Sequence, residues 1–102
     1  MMKVISEYSD LDKHEDDDGN ITYYKKGTDI RHNPYGPAYI RNNVYKVYWI
    51  ENEIHRLDGP AIIWNDGLEE YWINHIDLTK EDFEIHTERL KYLGKGHLIC
   101  LM

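Results

Sequence analysis

Six histidines, one cysteine and nineteen carboxylates are the side chains of this 102-residue chain with the chemistry to hold a metal or move a proton. Their spacing argues against both. His14, His32, His55, His75, His86 and His97 are scattered, with no His-x-x-x-His pair and no second cysteine, so no zinc pattern forms. A calcium loop aligned on Gly19 as its sixth residue would have His14 first and Lys25 twelfth, where carboxylates are required. Cys100 lies in an apolar tail without an adjacent base, and there is no Gly-x-Ser-x-Gly turn or glycine-rich phosphate loop. Glu69 and Glu70 are adjacent, but the equivalent pair earlier in the chain is Lys46 and Val47, so the carboxylates are not a repeated device. The chain is expected to be non-enzymatic and to use no cofactor or metal.

Charge gives the stronger functional signal. Of a net charge of −7, a balance of −6 lies between Glu7 and Asp18, where Glu7, Asp10, Asp12, Glu15, Asp16, Asp17 and Asp18 face only Lys13. Nucleic acid and anionic membrane are bound through clustered Lys and Arg, so this field opposes both and favours a basic surface on another protein or nucleoprotein complex. The candidate contact residues are Asp10, Asp12, Glu15, Asp16 and Asp17, with Glu69 and Glu70 on a strand. A solvated, solubilising loop is the competing reading of the same run.

The elements that would position these residues come from an internal repeat. Gly36-Pro37-Ala38 recurs as Gly59-Pro60-Ala61, an offset of 23 residues at which His32 meets His55 and Tyr48-Trp49-Ile50 meets Tyr71-Trp72-Ile73. Asp18-Gly19 and Tyr23-Tyr24 form a preceding half-unit. After each Gly-Pro-Ala comes a strand, Tyr39-Ile40 or Ile62-Ile63-Trp64. Asn42-Asn43 or Asn65-Asp66-Gly67 then supplies the positive φ that a tight reversal demands. Return strands run Tyr45 to Ile50 and Leu68 to Ile73, followed by a second turn at Glu51-Asn52 or Asn74-His75. Alternation sorts the rings into two columns, Tyr23/Tyr48/Tyr71 and Tyr24/Trp49/Trp72, of which one is expected to be buried. Gly36-Pro37 and Gly59-Pro60 suit a sheet edge or sharp corner. His32 and His55 read as equivalent structural residues that hydrogen-bond a neighbouring loop, and Trp49 and Trp72 as occupants of equivalent environments.

After Leu78 the period changes. Thr79 is a good N-cap, Glu81 and Asp82 complement the helix dipole, and Phe83, His86, Leu90 and Leu93 recur at helical spacing, predicting one helix from Thr79 to Leu93 closed by Gly94. The fold expected is therefore mainly β, stacked antiparallel hairpins capped by one C-terminal helix. It is a single domain, with an acidic segment (1–17), repeats (18–78) and a helical cap with apolar tail (79–102). No 18-residue apolar run or signal-peptide pattern appears, and the lone cysteine suits a reducing compartment, so a cytoplasmic protein is expected.

His55-Arg56-Leu57-Asp58-Gly59-Pro60-Ala61 with Tyr71-Trp72-Ile73-Asn74 resembles the degenerate MORN-like repeats of small phage, giant-virus and bacterial proteins. The resemblance spans roughly Asp18 to Asn74, with the helical end from Asp77 to Arg89 also similar. It departs where Asn33 stands for the Arg, Val44 for a turn Gly and His75 for another Gly. The resemblance implies a non-enzymatic interaction scaffold.

Three function classes stay open. One is a protein-binding module, including a phage-type acidic inhibitor of a host CRISPR or restriction nuclease, located in host cytoplasm. Another is an aromatic platform for choline or sugar. The third is a purely structural module whose edge strands pair as a homodimer.

Overall fold

The computed structural model describes residues 9–94. In chain order they form strands β1 (Leu11–Glu15), β2 (Ile21–Lys25), β3 (Tyr39–Arg41), β4 (Tyr45–Val47), β5 (Trp49–Ile50), β6 (Glu53–Ile54), β7 (Ile62–Trp64), β8 (Glu69–Ile73) and β9 (Ile76–Leu78). Two short helices follow, α1 (Lys80–Glu84) and α2 (Thr87–Tyr92). Glu7, His97, Cys100 and the apolar tail lie outside the described residues.

Seven strands make one antiparallel sheet in the order β1-β2-β3-β4-β7-β8-β9, and β5-β6 is a separate hairpin. The protein is thus mainly β, with hairpins stacked along one axis and a helical C-terminal end. The sequence turns are where the chain reverses. Gly67 has φ +98° and its N–H donates to the Trp64 carbonyl at 2.9 Å; Asn43 has φ +63°. The second turns are two-residue reversals with both central residues left-handed: Glu51 and Asn52 at +50° and +65°, Asn74 and His75 at +52° and +67°. That geometry matches the right-handed twist of the flanking strands, and His75 adopts it although it is not a glycine.

At Gly-Pro-Ala each unit carries the same bulge. The Ala38 N–H donates to Val47, whose cross-strand neighbour is Tyr39, and Ala61 donates to Glu70, whose neighbour is Ile62. Two residues thus face one, which bends the strand. Both alanines have no exposed surface and, with Leu11, Val47, Ile62, Ile73 and Phe83, form the buried apolar set. Neither aromatic column is buried: Tyr23, Tyr48, Tyr71, Tyr24, Trp49 and Trp72 are all half-buried. A single sheet seven strands wide has two broad faces and only a short helical cover, so the rings stay part-exposed instead of filling a closed core.

The helical end begins as the sequence predicts, with Thr79 Oγ1 accepting the Asp82 N–H at 3.1 Å. It is interrupted at Ile85-His86, where the His86 ring accepts the Glu88 N–H at 3.2 Å and starts a second helix. The Phe83 ring packs 4.7 Å from that of Tyr71, which fixes this end against β8. The acidic residues are placed differently from the expectation of a segment preceding the repeats. Leu11–Glu15 is the edge strand β1, paired along its length with β2 and anchored by buried Leu11.

Candidate interaction surfaces

At one end of the sheet, imidazoles and amides tie each turn to the unit before it. His32 Nδ1 accepts the Glu51 N–H at 3.0 Å, and His55 Nδ1 accepts the Asn74 N–H at 2.9 Å, each across 19 residues. A second pair runs the other way: Asn52 Oδ1 accepts the Arg31 N–H at 2.8 Å and His75 Nδ1 the Ile54 N–H at 3.0 Å, each across 21 residues. These are one arrangement written twice at the 23-residue offset. An imidazole can accept at Nδ1 only when that nitrogen is unprotonated. Burial holds the His55 ring below the usual histidine value, against the opposing pull of Glu88 and Glu53. His32 and His55 therefore have the structural, loop-bonding role expected of them.

Arg56 and Asn33 occupy equivalent positions and solve one problem with different chemistry. Arg56 Nη1 donates to the Pro60 carbonyl at 3.1 Å and Nε to Asp58 at 2.8 Å, while its guanidinium lies 4.1 Å from the Tyr48 ring centroid. Asn33 is buried; its amide donates to the Pro37 carbonyl at 3.0 Å and its Oδ1 accepts the Tyr35 N–H at 2.9 Å. Both clamp the Gly-Pro corner. With Tyr48, His55 and Tyr92 they border a cleft of about 330 Å³.

The acidic hairpin divides into carboxylates that hold its own turns and carboxylates that do not. Asp16 accepts the Asp18 N–H, the Asn20 N–H and the Asn20 amide at 2.9 to 3.0 Å, which closes the β1–β2 turn and holds its carboxyl below the ordinary value. Asp12 accepts the Gly27 N–H at 2.8 Å, and Asp10 accepts the Tyr35 hydroxyl at 3.1 Å. Glu15, Asp17 and Asp18 are exposed and their carboxylates have no hydrogen bond or ion pair among the described residues. The turn that carries them is fixed to the next, since Asn42 donates from its N–H to Asn20 Oδ1 and from its amide to the Asp18 carbonyl.

Glu69 and Glu70 project to opposite faces. Glu70 is half-buried and accepts both the Trp64 and the Trp72 indole N–H, at 2.8 and 3.1 Å, so it is a bracket for two rings and not a free contact residue. Glu69 is exposed and accepts only the Tyr71 hydroxyl at 3.2 Å; burial and then the Glu69 charge raise the Tyr71 pKa. Trp49 and Trp72, expected in equivalent environments, each lie 6.0 Å from the same His75 ring but differ otherwise: the Arg31 guanidinium lies over Trp49 at 5.0 Å, whereas Trp72 donates its indole N–H to Glu70.

No family model, curated protein or solved structure matches this chain.

Among the described residues no group of three His, Cys, Asp or Glu side chains converges on a point where a metal could sit, and no helix is long and apolar enough to cross a membrane. Asn33, Asn52, Asp58, Trp64 and His75 have side-chain partners that their places in the sequence do not identify. Asn52 and His75 had a signal: both sit at the second turn position of their unit, and both carry an acceptor on a short side chain. Trp64 had none, because its partner Glu70 lies in a strand where the first unit has Val47.

Proposed function

We propose that this protein is a non-catalytic protein-binding module of MORN-like hairpin units that presents its acidic end to a basic surface of another protein or nucleoprotein complex. The observation that carries the reading is the division of labour in the β1–β2 hairpin. Asp10, Asp12 and Asp16 are used internally, whereas Glu15, Asp17 and Asp18 are exposed, unpaired and held on a fixed turn. Carboxylates fixed on a rigid turn lose little side-chain and loop entropy on binding and steer a cationic partner toward them. A small acidic cytoplasmic protein of this design fits a phage-type inhibitor of a CRISPR or restriction nuclease, whose nucleic-acid channel is lined with Lys and Arg. The Arg31 guanidinium already over the Trp49 ring and the His75 ring beside both tryptophans speak against a choline or sugar cage.

The test is to add the protein to nuclease cleavage assays and, with a captured partner, to follow association by stopped flow. Replacing Glu15→Gln, Asp17→Asn and Asp18→Asn together is expected to slow association about tenfold at low salt and much less at high salt, with the fold unchanged. Asp16 is left intact because its loss opens the turn. Association rates unaffected by the triple substitution at every salt concentration would refute the reading.

A further inference from the structure

The repeat shows what belongs beside β4, and the same place beside β8 holds no strand among the described residues. In the first unit β4 lies between β3 and β7, with Lys46 opposite Ile63, Tyr45 opposite Trp64 and Val47 opposite Ile62. The Tyr48 N–H donates to Ala61 and the Asn65 N–H to Val44, both at 2.8 Å, so in this register Lys46 exchanges its backbone bonds with Ile63. The residues equivalent to Tyr45, Lys46 and Val47 are Leu68, Glu69 and Glu70. They pair with β7 on one side, while β9 pairs only with Tyr71, Trp72 and Ile73. Leu68 and Glu70 direct their carbonyls to the Trp64 and Ala61 N–H groups at 2.9 and 2.8 Å. Strand alternation then points the Glu69 N–H and C=O outward. Where the first unit runs on through Gly-Pro-Ala into β7, the second turns at Thr79 into α1, and a groove of about 480 Å³ remains along the edge.

We propose that this open edge of β8 is a docking site for one extended, basic segment of the partner protein, added as an antiparallel strand in the slot that β7 fills beside β4. The proposal rests on the reading of a basic partner and says where that partner engages. Main-chain bonds to Glu69 supply the register. Side chains supply the choice: Glu69, Glu70 and Asp77 against Lys80 make the groove acidic, so a Lys or Arg opposite Glu69 gains a cross-strand ion pair. Residues on either side of it lie opposite Leu68, which is 60% exposed, and Glu70, whose carboxylate is held by the Trp64 and Trp72 indoles. The internal template is apolar, central residue, aromatic, as in Ile62-Ile63-Trp64, with a cation in the middle. A second copy is a poor occupant. The net charge is −7, and its own free edge, β1, would bring Asp12 and Glu15 toward Glu69 and Glu70.

The probe is the peptide Gly-Pro-Ala-Ile-Lys-Trp-Asn, capped at both ends, titrated into the ¹⁵N-labelled full chain. Saturation is expected to shift the Glu69 amide and slow its hydrogen exchange. N-methylation of the peptide's lysine amide removes one main-chain donor without touching the protein, and is expected to weaken binding about tenfold, as is Glu69→Pro. A peptide with Glu for Lys should bind more weakly and recover on Glu69→Lys. Unchanged binding after N-methylation, or shifts confined to residues away from β8, would overturn the proposal. So would concentration-dependent self-association abolished by Glu69→Pro, which would make the occupant a second copy. The two readings fail separately. A natural partner bound equally by wild type and Glu69→Pro, yet lost from the Glu15/Asp17/Asp18 variant, overturns the edge site alone. Peptide protection of Glu69 together with a natural partner indifferent to the triple substitution supports the edge site and refutes the acidic-turn reading.

Discussion

Gly36 and Gly59 are equivalent in sequence, and the structure makes opposite demands on them. A Cβ built on Gly59 would lie 2.8 Å from Arg56 Cζ, 3.0 Å from Nη2 and 3.1 Å from Nε, whereas one on Gly36 meets only Asn33 Nδ2 at 4.0 Å. Neither has the left-handed φ that would forbid alanine outright. In Gly59→Ala the guanidinium, being the end of a flexible chain, swings away and gives up what it holds. The bond to the Pro60 carbonyl is worth about 1.5 kcal/mol, the low end for a charged donor because the site is part-exposed, and the Tyr48 stacking about 0.5 to 1 kcal/mol at a partly exposed site. Against this, alanine restricts the unfolded chain by about 0.4 to 1 kcal/mol in favour of folding. The expected net loss is about 1 to 2 kcal/mol. Gly36→Ala has only the favourable term and is expected to be neutral or stabilising by up to about 1 kcal/mol. Urea unfolding followed by tryptophan fluorescence measures both, with the denaturant slope checking that the unfolded state is unchanged. The cycle with Arg56→Asn sharpens the test. Once the guanidinium is gone, Gly59→Ala should cost nothing further, giving a coupling of about 1 kcal/mol or more. Equal stabilities of the two Gly→Ala variants, or strict additivity with Arg56→Asn, would refute the assignment of Gly59 to making room for Arg56.

Glu70→Ala leaves two half-buried indole N–H groups without their acceptor and is expected to destabilise the fold by about 1 to 2 kcal/mol, whereas Glu69→Ala changes stability by less than about 0.5 kcal/mol. Urea midpoints of the two variants separate these roles. The His55 ring, an acceptor from Asn74 with its pKa lowered by burial, takes up a proton more readily in the unfolded chain. Its contribution is therefore complete above the unfolded value of about 6.5 and is lost as pH falls toward the folded one. Stability is expected to decline as the solution is acidified from about pH 7 to 5, and His55→Gln to flatten that decline. A stability that rises on acidification across this window would contradict the role of the ring as an acceptor.

Residues that act through their own backbone were legible in the sequence; of those that act through a distant partner, only His32 and His55, marked by the repeat, were legible. Asn65-Asp66-Gly67 announces a reversal because few residues tolerate positive φ, and Thr79 announces a cap because its hydroxyl lies beside the N–H it accepts. The break at His86 was hidden, since a histidine three residues after Phe83 also satisfies the helical period. Strand β1 was masked by charge: only Leu11 of its five residues is apolar, and an edge strand open to solvent needs no more. One of the two aromatic columns is expected to be buried, and the rings of both are half-buried. Burial there depends on how wide the sheet grows and how little covers it, which a period of two does not encode. Among the contact candidates, Asp12, Asp16 and Glu70 look like Asp17 and Glu69 in sequence and differ only by the donors that folding brings to them.

The contacts that span 19 and 21 residues have a consequence for length. Because His32 clasps Glu51 just as His55 clasps Asn74, the stretch from His32 to Ile54 ends on the same bonds with which it begins. The chain can lengthen without a misfit only by whole 23-residue units, each inserting two strands into the sheet and moving the ends apart by about 10 Å. Duplicating that unit would shift Asp17 and the β8 edge relative to one another by that one step, with the local chemistry at both ends preserved. The distance between the acidic turn and the β8 edge is in this sense set by a count of units.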